Sequence, residues 1–155
     1  MPHPQPSEHH ERLKALAGKW IGEETIHPLP FAPGGGKATS LMHARMDLDG
    51  FFLIADYVQE RDGKVSFRGH GVYGYDPRQS KYTLHWFDVM GGDPGPPALG
   101  EWKGQTLTLL HQHAMGHSRY TYNITGRDAY TFKLEFSQDG QQWMPFLVGN
   151  YKRTV

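Results

Sequence analysis

The sequence predicts an all-β fold: an antiparallel up-and-down barrel of about ten strands with one short N-terminal helix. Three observations carry this expectation. After residue 18 the apolar pattern repeats every second residue, the spacing that sends alternate side chains to opposite faces of a strand. Turn residues interrupt that pattern at near-regular intervals, as in a meander of short strands. Glycine and proline, at 19 and 11 of 155 residues, supply those turns and leave little room for long helices. Closing the meander into a barrel removes its exposed edges.

Residues 1–6, with three prolines, read as a disordered arm, and residues 7–155 as a single domain without linker or repeat. Ser7 has the chemistry of a helix N-cap, and Glu8 and Glu11 suit the positive end of a helix dipole. Leu13, Leu16 and Ala17 form a short apolar stripe, and Gly18 ends a helix of about ten residues. Strands are expected near 18–27, 37–48, 51–60, 64–75, 81–89, 98–103, 105–113, 117–125, 129–137 and 142–153. Asp49-Gly50, Asp62-Gly63 and Asp139-Gly140 are hairpin signals, because glycine adopts positive φ without steric cost. Two longer loops stand out, Pro28–Gly36 and the Pro/Gly-rich Gly91–Pro97.

Sixteen basic and sixteen acidic residues balance to zero net charge. That argues against a nucleic-acid partner and against a polybasic membrane contact. The N-terminus lacks the apolar core of a signal peptide, and no run approaches the length of a membrane span. The expectation is a soluble, cytoplasmic protein. With no cysteine, disulfides, thiolate metal sites and cysteine nucleophiles are excluded. Gly69-x-Gly71-x-x-Gly74 has the spacing of a dinucleotide fingerprint but lies inside a strand with no helix after it. There is no Gly-x-Ser-x-Gly elbow, so a covalent hydrolase is not expected.

The ten histidines are the feature with most chemical potential. His111-x-His113 places two imidazoles on one strand face about 7 Å apart, where both can reach one metal. His43, His85, His117 or Asp88 are candidate further ligands, and an exposed strand end is the plain alternative. No resident metal or other cofactor is assigned. On strand 81–89, Trp86 and Asp88 share a face and His85 takes the other. A carboxylate beside an aromatic suits ligand anchoring or acid/base work; the plainer reading is a cap on the following Gly-Gly turn. His43 and Arg45 share a face, and if it points inward Arg45 is a ready anchor for a carboxylate or phosphate. His70 alternates with Arg68 and Val72. Tyr57 and Tyr122, with Tyr73 and Tyr120, offer hydroxyls on apolar bodies, as small-molecule pockets often do. His43, Arg45, Tyr57, His70, His85, Trp86, Asp88 and Tyr122 are therefore the candidate ligand-binding residues.

Gly18-Lys19-Trp20 opens the first strand and Tyr151-Lys152-Arg153 ends the last. This pairing resembles the lipocalin and calycin barrels. The resemblance implies structural roles for Trp20, which would close the floor, and Arg153, which would lie across it as a cation–π contact. The wider pattern resembles an uncharacterised bacterial family of lipocalin-like barrels, domain of unknown function 1579. It comprises Leu16-Ala17-Gly18-Lys19-Trp20-x-Gly22, Leu48-Asp49-Gly50-Phe51-Phe52-Leu53, Gly71-x-x-Gly74-Tyr75-Asp76, Lys81-Tyr82-x-x-x-Trp86-x-Asp88, Ser137-x-Asp139-Gly140-x-x-Trp143 and Tyr151-Lys152-Arg153. The resemblance runs from about residue 11 to 153 and implies the fold but no reaction. The Trp-Gly start is also similar to nitrobindin-type haem barrels, whose haem-ligand histidine has no matched position here.

Strand 129–137 alternates cleanly, with Tyr130, Phe132, Leu134 and Phe136 on one face. Strands 81–89 and 142–153 are apolar on both faces. One face fills the barrel, and the second is available to a homodimer contact. In the last strand Trp143 shares the parity of Leu147 and Tyr151. The expected function is binding of a small, largely apolar molecule in the interior. The alternatives are an isomerase or lyase using His43, His85 and Asp88 as acid/base groups with Arg45 as anchor, or a haem or metal barrel.

Overall fold

The structure is a computed structural model that describes residues 2–154; Met1 of the expected N-terminal arm and Val155 of the expected domain lie outside them. Residues 2–6 have no regular secondary structure. Ten antiparallel strands follow a short helical segment: β1 (Gly18–Ile26), β2 (Gly36–Asp47), β3 (Phe52–Arg61), β4 (Lys64–Asp76), β5 (Lys81–Asp88), β6 (Ala98–Lys103), β7 (Thr106–His113), β8 (Gly116–Gly126), β9 (Ala129–Ser137) and β10 (Met144–Arg153). Each pairs with the next, and β10 returns to β1, so the barrel is closed. Every strand falls within two residues of its expected span. The three Asp-Gly turns all use positive φ at glycine: 89° at Gly50, 75° at Gly63 and 78° at Gly140.

The helix differs from expectation. Its α-helical part, α1, covers only Glu8–Glu11, and Arg12–Leu16 tightens into a 3-10 helix. Side chains three apart eclipse in a 3-10 turn, which stacks Leu13 over Leu16, and both are buried against the barrel floor. The cap is as expected, with an added component. The Ser7 hydroxyl accepts from His9 N–H, and His10 Nδ1 accepts from Ser7 N–H at 2.9 Å.

The floor is closed by Trp20, whose indole N–H donates to the Leu16 carbonyl at 3.0 Å. Trp20 and Arg153 are directly paired across β1 and β10, and the Arg153 guanidinium lies 4.3 Å above the indole ring. Its nitrogens also donate to the carbonyls of Ala17 and Arg127 and to Asp128. Gly18 must be glycine here: its φ is 128°, and a Cβ would enter the Arg153 guanidinium.

A register shift between Pro145 and Leu147 corrects one assignment of faces. The extra residue turns Phe146 and Leu147 both toward the interior, and upstream of it the parity inverts. Trp143 therefore lies on the outer wall, where Arg119 stacks on its ring at 4.2 Å. Arg119 in turn pairs at 2.9 Å with Glu135, an outward residue left only 7% exposed.

Candidate functional site

Which face of each strand points inward follows from one row of paired residues. Trp20 is inside. Directly opposite residues share a face, and the pairing runs Trp20–Met42–Tyr57–Gly69–Asp88 across β1 to β5. Tyr57, Trp86 and Asp88 therefore point into the barrel. His43, Arg45, His70 and His85 occupy the other parity and lie on the outer wall. His43, Arg45 and His70 are exposed, and His85 is half-buried. Asp56 ties two of them into a surface network, bonding His70 Nδ1 at 2.7 Å and Arg45 at 3.3 Å. The anchor role foreseen for Arg45 depended on an inward face, and the register gives it an outward one. For the same reason the acid/base set of His43, His85 and Asp88 does not converge.

The interior holds a cavity of about 310 Å³. Its base is bounded by Tyr73, Tyr122 and Tyr130, and its upper wall by Phe132, Leu134 and Phe136 from β9. The floor end is sealed by the helical segment, Trp20 and Arg153. The opposite end carries the loops 27–35, 89–97 and 138–143. There a second chamber of about 210 Å³ is lined by Met90, Asp93 and Pro94 of the 89–97 loop and by His111. Leu84, Trp86, Asp88 and Tyr120 line both chambers, so Trp86 and Asp88 stand at the boundary between them.

Two carboxylates give the cavity its polarity. Glu24, inward on β1, is 1% exposed. The Tyr57 hydroxyl lies 2.8 and 2.9 Å from its two oxygens, Gln59 Nε2–H donates at 3.1 Å, and the Tyr151 hydroxyl donates to Oε2. All its partners are donors, the pattern an acceptor-only carboxylate requires. Asp88 accepts from the Trp86 indole N–H and the Met90 backbone N–H, each at 2.9 Å. At the base, the Tyr73 and Tyr122 hydroxyls are 2.6 Å apart.

The phenols stay protonated. Burial, then the negative charge of Glu24, pushes Tyr57 and Tyr151 well above the ordinary tyrosine value. Burial does the same to Tyr73, Tyr122 and Tyr130. Tyr120 is pushed up to about 12 by burial and then by the Asp88 charge. The cavity thus offers neutral hydroxyl donors, aromatic faces and carboxylates.

The sequence reading did not single out Glu24, Gln59, Tyr130 or Tyr151. The parity of Trp20 carries the signal for Glu24, since an acidic residue four along the same strand face must enter the barrel.

The histidine pair does not assemble a metal site. His111 and His113 rings are 5.4 Å apart, but His113 spends Nε2 on the Ser118 hydroxyl at 2.9 Å and Nδ1 on the Met115 N–H at 3.3 Å. Among the described residues no three histidine, aspartate or glutamate side chains are grouped to hold a metal ion. Among the described residues no imidazole lines the main chamber, so it offers no histidine for axial ligation of a haem. No helix among the described residues is long and apolar enough to cross a membrane.

Solved structures share this architecture. Rv2717c from M. tuberculosis superposes with a TM-score of 0.72 at 16% identity, covering 96% of this chain and 99% of that one. The S-type phycobiliprotein lyase CPES from Guillardia theta gives a TM-score of 0.65 at 13% identity, covering 98% and 99%. A redesigned beta barrel gives 0.50 at 12% identity, covering 92% and 94%. At these identities the likeness shows the fold. No curated protein matches the sequence. Residues 5–153 match a family described as a protein of unknown function, DUF1579, and the chain belongs to that family.

Proposed function

We propose that the protein binds a small, largely apolar molecule inside the barrel. The observation that carries this is the aromatic cavity of about 310 Å³, which adjoins a second chamber at the loop-bearing end. Ordinary barrel cores fill with side chains. Here aromatic walls surround open volume, with a few convergent polar groups, as small-molecule sites do. Tyr57, Trp86, Asp88 and Tyr122 are the ligand-contacting residues in this reading, joined by Tyr120. The fold alone does not decide between binding and catalysis, and one structural neighbour is named as a lyase. For this chain the binding reading rests on the cavity, because the acid/base set foreseen from sequence is divided between the two faces of the wall.

The outer faces of β1, β2 and β3 carry a paired apolar strip, Ile21–Leu41–Val58. In the same reading the protein is a homodimer, which sedimentation at micromolar concentration tests.

Two measurements test the binding function. Native mass spectrometry is expected to reveal a co-purified organic molecule. The neutral fluorophore N-phenyl-1-naphthylamine is expected to bind at one site per chain, and Leu134→Trp, which fills the cavity, is expected to abolish that binding. A probe that binds equally well after Leu134→Trp places binding elsewhere and overturns the reading.

A further inference from the structure

The polarity of the chamber narrows the class of ligand. Neither of its lining carboxylates, Glu24 or Asp88, has a lysine, arginine or histidine partner at ion-pair distance among the described residues. Among the described residues no lysine or arginine lines either chamber. The phenols remain neutral, and His111, in the outer chamber, is the one residue of the lining able to carry positive charge. The site is therefore an aromatic vessel in which two carboxylates, Glu24 and Asp88, have no cationic partner.

Trp86 shapes the boundary between the chambers. A Cβ at Gly69 would collide with the indole, and one at Gly71 would touch it, so two glycines of β4 give the ring a flat shelf to lie on. The indole N–H is held by Asp88 Oδ2 at 2.9 Å, and the Tyr57 ring stands at 63° to it with centroids 6.0 Å apart. The ring is fixed in place beside a carboxylate. Aromatic faces attract cations through the ring quadrupole, tryptophan most strongly, and a carboxylate at the same place adds charge-assisted hydrogen bonding. Within a partly enclosed, low-dielectric chamber both effects exceed their values in water. An anionic ligand meets the reverse: Glu24 and Asp88 in the main chamber and Asp93 in the outer one, against the single imidazole of His111.

We infer that the ligand is an apolar molecule bearing a protonated amine, seated with its ammonium group at Asp88 and the face of Trp86. This inference rests on the proposed binding function and adds the charge of the ligand to it.

Three probes of one skeleton test it by calorimetry at neutral pH: 1-naphthylmethylammonium, 1-naphthylmethanol and 1-naphthoate. The ammonium is expected to bind at least tenfold more tightly than the alcohol, and the naphthoate more weakly than both. Rising salt is expected to weaken the ammonium and leave the alcohol unchanged. Asp88→Asn, which removes the charge but keeps an acceptor for only one of the Trp86 and Met90 donors, is expected to cost the ammonium about tenfold and the alcohol markedly less. Equal affinity for alcohol and ammonium, or tightest binding of naphthoate, overturns the charge inference while leaving small-molecule binding intact. Failure of all three probes to bind overturns both. The salt dependence needs no variant, so it decides the matter even if Asp88→Asn fails to fold.

Discussion

The hydroxyls of Tyr73 and Tyr122 meet 2.6 Å apart between β4 and β8, nearly opposite walls of the barrel. Both side chains are buried, and burial is the main reason both phenols resist ionisation. The bond spans the interior below the cavity. Tyr73→Phe leaves the Tyr122 hydroxyl in an apolar setting without its partner, which costs about 1–3 kcal/mol. Tyr122→Phe is expected to cost a similar amount. The double variant removes both hydroxyls together, so its loss is expected to be smaller than the sum of the singles by at least ~0.5 kcal/mol. Urea unfolding of the four proteins measures this. Strictly additive losses show that the two hydroxyls do not depend on each other.

Arg153 makes a second long-range tie, binding the end of β10 to Trp20 and to the carbonyls of Ala17 and Arg127. Lysine at 153 keeps a charge near the indole but cannot reach two carbonyls at once, because it lacks the guanidinium fork. Arg153→Lys is expected to lower stability by about 1–3 kcal/mol, read as a lower thermal midpoint with an unchanged circular dichroism spectrum at room temperature. An unchanged midpoint removes the fork from the account of the floor.

This tie shows what was legible from sequence. The resemblance carried by Gly18-Lys19-Trp20 and Tyr151-Lys152-Arg153 implied the contact that the structure contains. The strand spans were legible because period-two alternation and Asp-Gly turns are local properties of the chain. The inward direction was not, since alternation defines two faces without naming them. It is fixed by pairing between strands, as in the row from Trp20 through Met42, Tyr57 and Gly69 to Asp88. That row alone puts His43, Arg45, His70 and His85 outside. The inversion at Trp143 was likewise hidden, because a bulge adds one residue without any change in apolar pattern. Glu24 was readable from its shared parity with Trp20, but its partners come from strands far apart in sequence.

The capping contact of α1 predicts a pH dependence. His10 is held below the ordinary histidine value, first by burial and then by His9. The unfolded chain then takes up the proton at higher pH than the folded one does. Stability is full above about pH 6.5 and falls as pH drops through that value toward the lower folded pKa. Protonation also removes the Nδ1 acceptor of Ser7 N–H. His113 is lowered in the same sense, by burial and then by His111 and His117, so it adds to the loss. His10→Gln keeps the capping partner without titrating. Its urea midpoint is expected to fall less than that of the parent between about pH 7.5 and pH 5.5. Parallel falls in the two proteins assign the dependence to His113 or to other groups.

Glu24 supplies the last test, one of the chemistry of the cavity base. Three donors converge on its carboxylate, from Tyr57, Gln59 and Tyr151. Glu24→Gln preserves shape but brings two N–H donors into a cluster already made of donors, and leaves one good acceptor where there were two. The expected loss is about 1–3 kcal/mol. Tyr57→Phe removes one donor and leaves the carboxylate held by Gln59 and Tyr151, for an expected loss of about 1 kcal/mol. The order of the two losses in urea unfolding is the informative result, because it depends on which side of the cluster is in excess. A larger loss for Tyr57→Phe shows that the cluster is short of donors, and that Glu24 draws less on its neighbours than the geometry indicates.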